Sequence, residues 1–286
     1  MERSSITSSF IGLGILNDPS GVAVDSLGNV YVTDTSYGLI QKFGKDGKFI
    51  TRSGSFGIGD GEFRFPSGIA VDSSDNLYVA DTDNRRIQKF ASDGKFLTKW
   101  GTGKGDGELS DPHGIAIDSS GSVYVVDSSV DRIQKFSNDG KFITKWGSTG
   151  TNDGEFLSPG SIAVDSLGNV YITDSSNTRI QKLTSDGKFI TKWGSKGVND
   201  GEFRFPSGIA VDSSDNVYVV DITNNCIQKF ANDGKFITKW GSRGSKENQF
   251  DSPHGIAIDS LGNVYIADSN NHRVQVFRVS ASSRTT

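Results

Sequence analysis

Short runs of apolar residues alternate with clusters of Asp, Asn, Ser and Gly along the whole chain. In one stretch, four such runs follow one another: Gly68–Asp72, Leu77–Asp81, Arg86–Phe90 and Lys95–Trp100. Each run has the length of a strand and is rich in Val, Ile, Tyr or Phe, and the clusters between them are typical of turns. The spacing of the apolar residues is not that of a helix. The pattern therefore predicts four short antiparallel strands in this stretch.

The same pattern recurs six times, and the prolines give its period. Successive prolines are 47, 46, 47, 47 and 47 residues apart, and each begins a phrase close to Pro-x-Gly-Ile-Ala-Val-Asp. A four-stranded unit repeated at this period is typical of a β-propeller blade. The sequence thus predicts an all-β, six-bladed β-propeller with four antiparallel strands per blade, as a single domain over residues 1–286. The blades begin near Pro19, Pro66, Pro112, Pro159, Pro206 and Pro253.

The sixth repeat contains only three strand-like segments, the last of which is Val274–Val279. Near the N-terminus, Ser5–Ser9 resembles the Phe-Ile-Thr-Lys-Trp of the other fourth strands. We therefore expect a strand around Ile6 to complete the last blade, because closing the ring covers strand edges. Residues 280–286 are rich in Ser and Thr and are predicted to form a disordered tail.

Charge and composition narrow the classes of partner. The net charge is −4 and the isoelectric point is near 5.4, so the whole molecule does not attract nucleic acid or anionic membranes. No stretch approaches the roughly 18 apolar residues of a membrane span, and the first residues lack a signal-peptide pattern. The single cysteine, Cys226, excludes an intrachain disulfide. We expect a soluble monomer without membrane association, in a compartment that the sequence leaves open.

Several phrases resemble the NHL repeat. They are Asn-Val-Tyr-Val-x-Asp, Asn-x-Arg-Ile-Gln-Lys-Phe, Asp-Gly-Lys-Phe and Gly-Ile-Ala-Val-Asp, and the sixth repeat contains Asn271-His272-Arg273-Val274, close to the family's naming triplet. The resemblance covers roughly Phe10–Val279. It implies that ligands bind at the face that carries the Pro-x-Gly loops and the loops between the second and third strands. NHL propellers include RNA- and protein-binding modules, sensors and a few metal-dependent lyases, so the resemblance leaves the function open.

Arginine recurs at one position of the loop between the second and third strands. It could form a basic crown for phosphate or carboxylate groups, or a fork that clamps the loop by pairing with an aspartate five residues earlier. The recurrence of the aspartate favours the clamp. Leu39 and Cys226 replace the arginine in the first and fifth repeats, where we expect Asp34 and Asp221 to have freer carboxylates. The arginines and their aspartates are Arg86 with Asp81, Arg132 with Asp127, Arg179 with Asp174, and Arg273 with Asp268.

Two histidines, His113 and His254, occupy the same Pro-His-Gly position in the third and sixth repeats, which lie opposite each other in a six-bladed ring. A lyase-type metal site would need several histidines at the axial mouth, and no third ligand is evident. Residues 61–76 recur unchanged at 201–216, so a half of three blades looks duplicated, and the histidine pair is interpreted as inherited with it. His272 and Tyr37 lie in the upper loops and complete the candidate binding face.

From these observations we expect a non-catalytic scaffold without a cofactor. It would bind a protein or peptide through the face formed by the Pro-x-Gly and Asn-x-Arg loops, with the histidines, Tyr37 and the four arginines as candidate contacts. Two alternatives stay open. One is a metal-dependent, lyase-type enzyme at the axial mouth, with His113 and His254 as the weak candidates for metal ligands. The other is an RNA-binding face, which the acidic isoelectric point disfavours.

Overall fold

The computed structural model describes residues 6–103 and 105–279. Within these residues, 24 strands form six antiparallel sheets of four strands each. The prediction of an all-β, six-bladed β-propeller is therefore confirmed. No helix in the described part is long and apolar enough to cross a membrane. The tail predicted at 280–286 lies outside the described residues.

Each of the first five blades consists of four strands that are consecutive in the chain, and the sixth blade combines the last three strands with the first strand. In chain order the strands are β1 (Ile6–Ile11), β2 (Pro19–Val24), β3 (Val30–Asp34), β4 (Leu39–Phe43), β5 (Phe49–Ser53), β6 (Pro66–Val71), β7 (Leu77–Asp81), β8 (Arg86–Phe90), β9 (Phe96–Trp100), β10 (Pro112–Ile117), β11 (Val123–Asp127), β12 (Arg132–Phe136), β13 (Phe142–Trp146), β14 (Pro159–Val164), β15 (Val170–Asp174), β16 (Arg179–Leu183), β17 (Phe189–Trp193), β18 (Pro206–Val211), β19 (Val217–Asp221), β20 (Cys226–Phe230), β21 (Phe236–Trp240), β22 (Pro253–Ile258), β23 (Val264–Asp268) and β24 (Arg273–Val279). Short 3-10 turns follow β3, β7, β11 and β23: Thr35–Tyr37, Thr82–Asn84, Ser128–Val130 and Ser269–Asn271.

The first strand of each blade lies at the axis, where it contacts the first strands of both neighbouring blades. The space there is small, and glycine meets this constraint. A Cβ atom on Gly68 would lie 2.1 Å from the carbonyl oxygen of His113 in the next blade. A larger residue would force the inner strands apart, because that oxygen belongs to the backbone.

The hydrophobic core is divided into six clusters, each between two adjacent blades. The second strands are buried along their whole length. Trp100 shows how the outer strands take part: its ring contacts Tyr78 of its own blade edge to face and packs on Phe136 of the next blade. The recurring tryptophans are thus packing residues between blades, so each blade depends on its neighbours for stability.

Strand β1 closes the ring by pairing antiparallel with β24, as predicted. The register differs from the prediction by two residues. Ile11 faces Val274, which is the position that Trp100 takes opposite Ile87 in the second blade, whereas the sequence comparison assigned this position to Ser9. A shift of two residues leaves the same side chains on each face of the sheet, because strand side chains alternate with period two.

Burial of Ile11 makes it the anchor of the closing strand, since only 2% of its surface is exposed. We expect Ile11→Ala to lower the free energy of unfolding by about 2–5 kcal/mol, the usual cost of truncating a buried isoleucine. Ile50→Ala is the matched control, because Ile50 lies on the outer strand of the first blade and is 51% exposed. It should change stability by less than about 0.5 kcal/mol. Equal effects of the two variants in urea unfolding would contradict the closing role of β1.

Candidate functional site

A buried aspartate ends the second strand of each blade and organises the upper loops. In the second blade, Asp81 accepts hydrogen bonds from Nε of Arg86 at 2.7 Å, from Nε2 of Gln88 at 3.0 Å and from the backbone N–H of Arg64 at 2.7 Å. Arg86 also donates to the carbonyl oxygens of the loop before the first strand, those of Ile58, Gly59 and Glu62. The guanidinium therefore fastens this loop to the sheet.

Two of the other arginines predicted for the binding face make the same contacts, and Arg132 makes part of them. Arg179 and Arg273 pair with Asp174 and Asp268 at 2.6 and 2.8 Å and are almost fully buried. Arg132 is held more loosely, at 3.0 Å from Asp127 with 23% of its side chain exposed. The arginines thus form clamps between loop and sheet, with their donors directed at protein oxygens.

The aspartates of the first and fifth blades are also occupied, although Leu39 and Cys226 replace their arginines. Asp34 is fully buried and accepts the backbone N–H groups of Asn17 and Asp18 and the amide of Gln41. Asp221 is also fully buried and accepts hydrogen bonds from the backbone N–H groups of Arg204 and Phe205 and from the side-chain amide of Asn224. The expectation that these two carboxylates are freer than the others is therefore wrong, because both are fully buried and hydrogen-bonded.

The loop before the first strand takes two conformations that alternate around the ring. In the second, fourth and sixth blades, the residue before the proline has a left-handed backbone, with φ of 49° for Phe65, 49° for Ser158 and 54° for Ser252. In the first, third and fifth blades it does not, and its carbonyl oxygen accepts a hydrogen bond from the residue that follows the buried aspartate. These bonds are Thr35 to Asp18, Ser128 to Asp111, and Ile222 to Phe205, at 3.0–3.1 Å.

This alternation follows the loop between the second and third strands. The even-numbered blades keep both the asparagine and the arginine of the Asp-x-x-Asn-x-Arg motif. The odd-numbered blades have lost at least one of them. Tyr37 and Leu39 replace both in the first blade, Val130 replaces the asparagine in the third, and Cys226 replaces the arginine in the fifth. There the aspartate accepts two consecutive backbone N–H groups instead of one. Identical sequences at 61–76 and 201–216 consequently have different rim conformations.

An open cavity of about 430 Å³ lies at the axis on this face. Its volume is in the range of small-molecule sites. All six residues that directly follow the prolines line it: Ser20, Ser67, His113, Gly160, Ser207 and His254. The ring thus brings together the two Pro-His-Gly histidines, on opposite blades, among serine residues.

The ring of His254 is fixed by its Nδ1 atom. This atom lies 3.0 Å from the carbonyl oxygen of Ser252 and 3.0 Å from Oγ of Ser269. The carbonyl can only accept a hydrogen bond, and the Ser269 hydroxyl already donates to the carbonyl oxygen of Pro19. Nδ1 therefore carries the proton of the neutral ring, and Nε2 keeps its lone pair. Burial, assisted by the charge of His113, lowers the pKa of His254 and favours this neutral form.

The second histidine, His113, is more exposed and lies beside a carboxylate. Its Nε2 atom is 3.4 Å from Oδ1 of Asp111, which also lines the cavity. The hydrogen bond and the charge of His113 lower the pKa of Asp111, with a smaller contribution from Arg85. The carboxylate thus stays ionised and compensates the charge of His113 when that ring carries two protons.

The remaining candidates, His272 and Tyr37, lie on the outer rim and do not line the cavity. His272 is exposed, and its Nδ1 atom contacts the carbonyl oxygen of Asn17 in the first blade. Tyr37 is 54% exposed in a 3-10 turn. Sequence reasoning overlooked Asp111, Phe205 and Ile222, which do line the cavity.

The family model described as NHL repeat matches six segments, which together cover more than half of the chain: residues 16–43, 63–90, 109–136, 156–183, 203–230 and 250–277. The chain belongs to the NHL repeat family. No curated protein matches this NHL propeller by sequence.

Solved structures with a similar fold include two named enzymes. Virginiamycin B lyase from Staphylococcus aureus is 17% identical with a TM-score of 0.67, and the match covers 96% of this chain and 100% of that one. A gluconolactonase from Xanthomonas campestris is 14% identical with a TM-score of 0.71, over 93% and 87% of the two chains. A Bacteroides thetaiotaomicron protein of unknown function is 19% identical with a TM-score of 0.74, over 96% and 76%. At these identities the similarity establishes the fold.

These findings correct the predicted function. Among the similar structures, those whose names state an activity are lyases and gluconolactonases. This finding contradicts the prediction of a non-catalytic scaffold for a protein or peptide. It gives better support to the alternative of a lyase-type enzyme at the axial mouth. The clamped arginines remove the donors on which a basic, RNA-binding crown would depend.

The metal-dependent form of that alternative does not fit the residues of this NHL propeller. Within residues 6–103 and 105–279, no three His, Cys, Asp or Glu side chains converge in a way that could hold a metal ion. Nδ1 of His254 is occupied by the backbone and by Ser269, and His113 is directed at Asp111. A catalytic metal of the zinc type needs about three protein ligands.

The arginine clamp gives a prediction for stability. We expect Arg86→Ala to lower the free energy of unfolding by about 3–5 kcal/mol, because it leaves the buried charge of Asp81 without its partner. Arg85→Ala is the control, since Arg85 is the exposed neighbour in the same loop. Its change should stay within about 0.5 kcal/mol. If the two variants unfold at the same denaturant concentration, the clamp does not stabilise the blade.

Proposed function

We propose that this NHL propeller is an enzyme of the lyase type, which acts on a small molecule in the axial cavity with His254 as general base and His113 as general acid. The observation that carries the proposal is the pair of histidines on opposite sides of one cavity, in unlike environments. Such a division is what acid–base catalysis requires, because one group must accept a proton while the other donates one.

His254 has the properties of the base. Its proton is held on Nδ1 by acceptors of the protein, so that Nε2 is the nitrogen available to a substrate. The low pKa keeps the ring neutral near pH 7. The Ser252 carbonyl and Ser269 also stabilise the ring after it has gained a proton, because Nδ1–H remains their donor.

His113 has the properties of the acid. The Asp111 carboxylate, 3.4 Å from Nε2, compensates the imidazolium charge and orients the ring. Charge on His113 in turn disfavours charge on His254. The two rings belong to the third and sixth blades, so a substrate in the cavity would lie between them.

The reaction that uses these groups is an elimination. Nε2 of His254 removes a proton from a carbon atom, and the electron pair of that C–H bond forms a C=C bond. The adjacent C–O bond breaks, its electron pair stays on the oxygen, and His113 donates a proton to that oxygen. No water is consumed. The similar structures named as lyases support this class, and one of them is a catalytically inactive histidine-to-alanine variant of virginiamycin B lyase with quinupristin.

Turnover tests the proposal directly. The full chain is incubated with quinupristin, with gluconolactone and with a panel of other cyclic esters, and the products are analysed by mass spectrometry. Elimination within a ring leaves the mass unchanged, whereas hydrolysis adds the mass of one water. We expect a product of unchanged mass, and we expect His254→Ala to lower kcat at least about 100-fold, as loss of a general base does.

The control for this experiment is His272→Ala, which removes a histidine of the same face outside the cavity. It should leave kcat unchanged. Absence of turnover across the panel, or equal losses in the two histidine variants, would speak against the proposal. A product heavier by one water would assign the site to hydrolysis instead of elimination.

The pH dependence follows from the state of His254. Its pKa is lowered from the usual value of about 6.5, so the base stays active on the acidic side of that value. As the pH falls through the lowered pKa, Nε2 becomes protonated and activity is lost. We expect the acidic limb of the kcat/KM profile, which reports the free enzyme, below pH 6.5. If the acidic limb itself lay above pH 6.5, another group would be the base.

A further inference from the structure

One sector of the axial cavity is apolar, and it belongs to the fifth blade. Phe205 and Ile222 line the cavity there, next to the sixth blade with His254. The 40% exposure of Phe205 leaves surface for a ligand, and Ile222 is half-buried. Elsewhere the rim residues of the cavity include Ser128, Ser158 and Asp111, so the apolar sector is a local feature.

Ile222 breaks an interaction that the other five blades share. The residue after the buried aspartate is a serine or threonine in each of them, and its hydroxyl donates a hydrogen bond to the carbonyl oxygen of the next blade's proline. Ile222 has no hydroxyl for Pro253. The five bonds are Thr35 to Pro66 at 2.8 Å, Thr82 to Pro112 at 2.8 Å, Ser128 to Pro159 at 2.6 Å, Ser175 to Pro206 at 2.6 Å and Ser269 to Pro19 at 2.5 Å.

A junction between blades that gives up its hydrogen bond for an apolar side chain is unfavourable for the scaffold alone. The substitution lies at the cavity and directly precedes the blade that carries His254. Departures from local structural rules are expected at functional sites. The apolar residue therefore indicates a contact with a ligand.

The loop that carries Phe205 differs in conformation from the loop that carries Phe65 in the second blade. Asp221 accepts both the Arg204 and the Phe205 N–H, and Ile222 donates its N–H to the Phe205 carbonyl oxygen at 3.1 Å. In the second blade the same sequence places Phe65 in the left-handed conformation. Phe65 packs edge to face on Phe56, with ring centroids 6.4 Å apart, and does not line the cavity.

From this geometry we infer that Phe205 and Ile222 form the specificity subsite of the cavity, which binds an aryl group attached beside the bond that the histidines cleave. The inference rests on the proposed function for the reacting groups, but binding at the subsite can be measured without turnover. An aryl group fits because it buries apolar surface against Ile222 and can pack edge to face on Phe205.

Two lactones that differ only in a phenyl group provide the test. We measure the dissociation constants of γ-phenyl-γ-butyrolactone and γ-butyrolactone for the full chain by ligand-observed NMR. We expect the phenyl lactone to bind at least about tenfold more tightly. Phe205→Ala and Ile222→Thr should each abolish most of this preference. Phe65→Ala is the matched control, in an identical local sequence outside the cavity, and should retain it.

Melting temperatures separate the subsite from a structural role. Ile222→Thr restores the hydroxyl of the other blades, so its melting temperature should stay equal or rise while the preference is lost. A fall in melting temperature with the preference intact would make Ile222 a packing residue and overturn the inference. Equal binding of the two lactones by the wild type would also overturn the inference, and so would undetectable binding of both. Equal effects of Phe65→Ala and Phe205→Ala on the preference would overturn it as well. His254→Ala should keep the preference, so that a failure of the proposed chemistry and a failure of the subsite are distinguishable.

Discussion

The structure depends on a carboxylate that is buried in every blade. Each aspartate at the end of a second strand is fully removed from solvent, where an unpaired charge would be very costly. It is stable there because backbone N–H groups of the loop before the first strand, and side chains from the loop that follows, donate hydrogen bonds to it. The need to satisfy this carboxylate is what fixes the upper loops to a rigid sheet. The upper face is therefore a preorganised rim around the axial cavity.

The same requirement explains why the rim is not six-fold symmetric. At Asp81, an arginine and an asparagine side chain donate hydrogen bonds to the carboxylate, and one backbone N–H, that of Arg64, completes the set. The residue after Arg64, Phe65, then has a left-handed backbone conformation. Where these side chains are reduced or lost, as at Asp221, a second backbone N–H completes the set. Small changes in one loop thus decide the backbone conformation of another loop at the rim.

The sequence was sufficient for the fold and for part of the site. The prolines gave the period, the missing fourth strand predicted the closure by β1, and the recurring Asp and Arg indicated a clamp. The register of β1 was missed by two residues because Ile11 replaces a tryptophan, so similarity of residue type pointed to the wrong segment. The conformation of Phe205 could not be predicted either. Its own sequence equals that around Phe65, and the difference arises from hydrogen bonds to residues distant in the chain.

Near-identity of the repeats is compatible with a specialised centre. Because the blades are alike and surround one axis, a residue that differs from the repeat consensus has a defined position around that axis. His113 and His254 replace serine or glycine on opposite blades, and Ile222 replaces a hydroxyl next to one of them. Each change leaves the strands and the buried aspartate intact, so the scaffold tolerates it. Unlike groups can therefore collect in the cavity while the repeat continues to specify the fold, and the positions where copies disagree are those at which chemistry is to be sought.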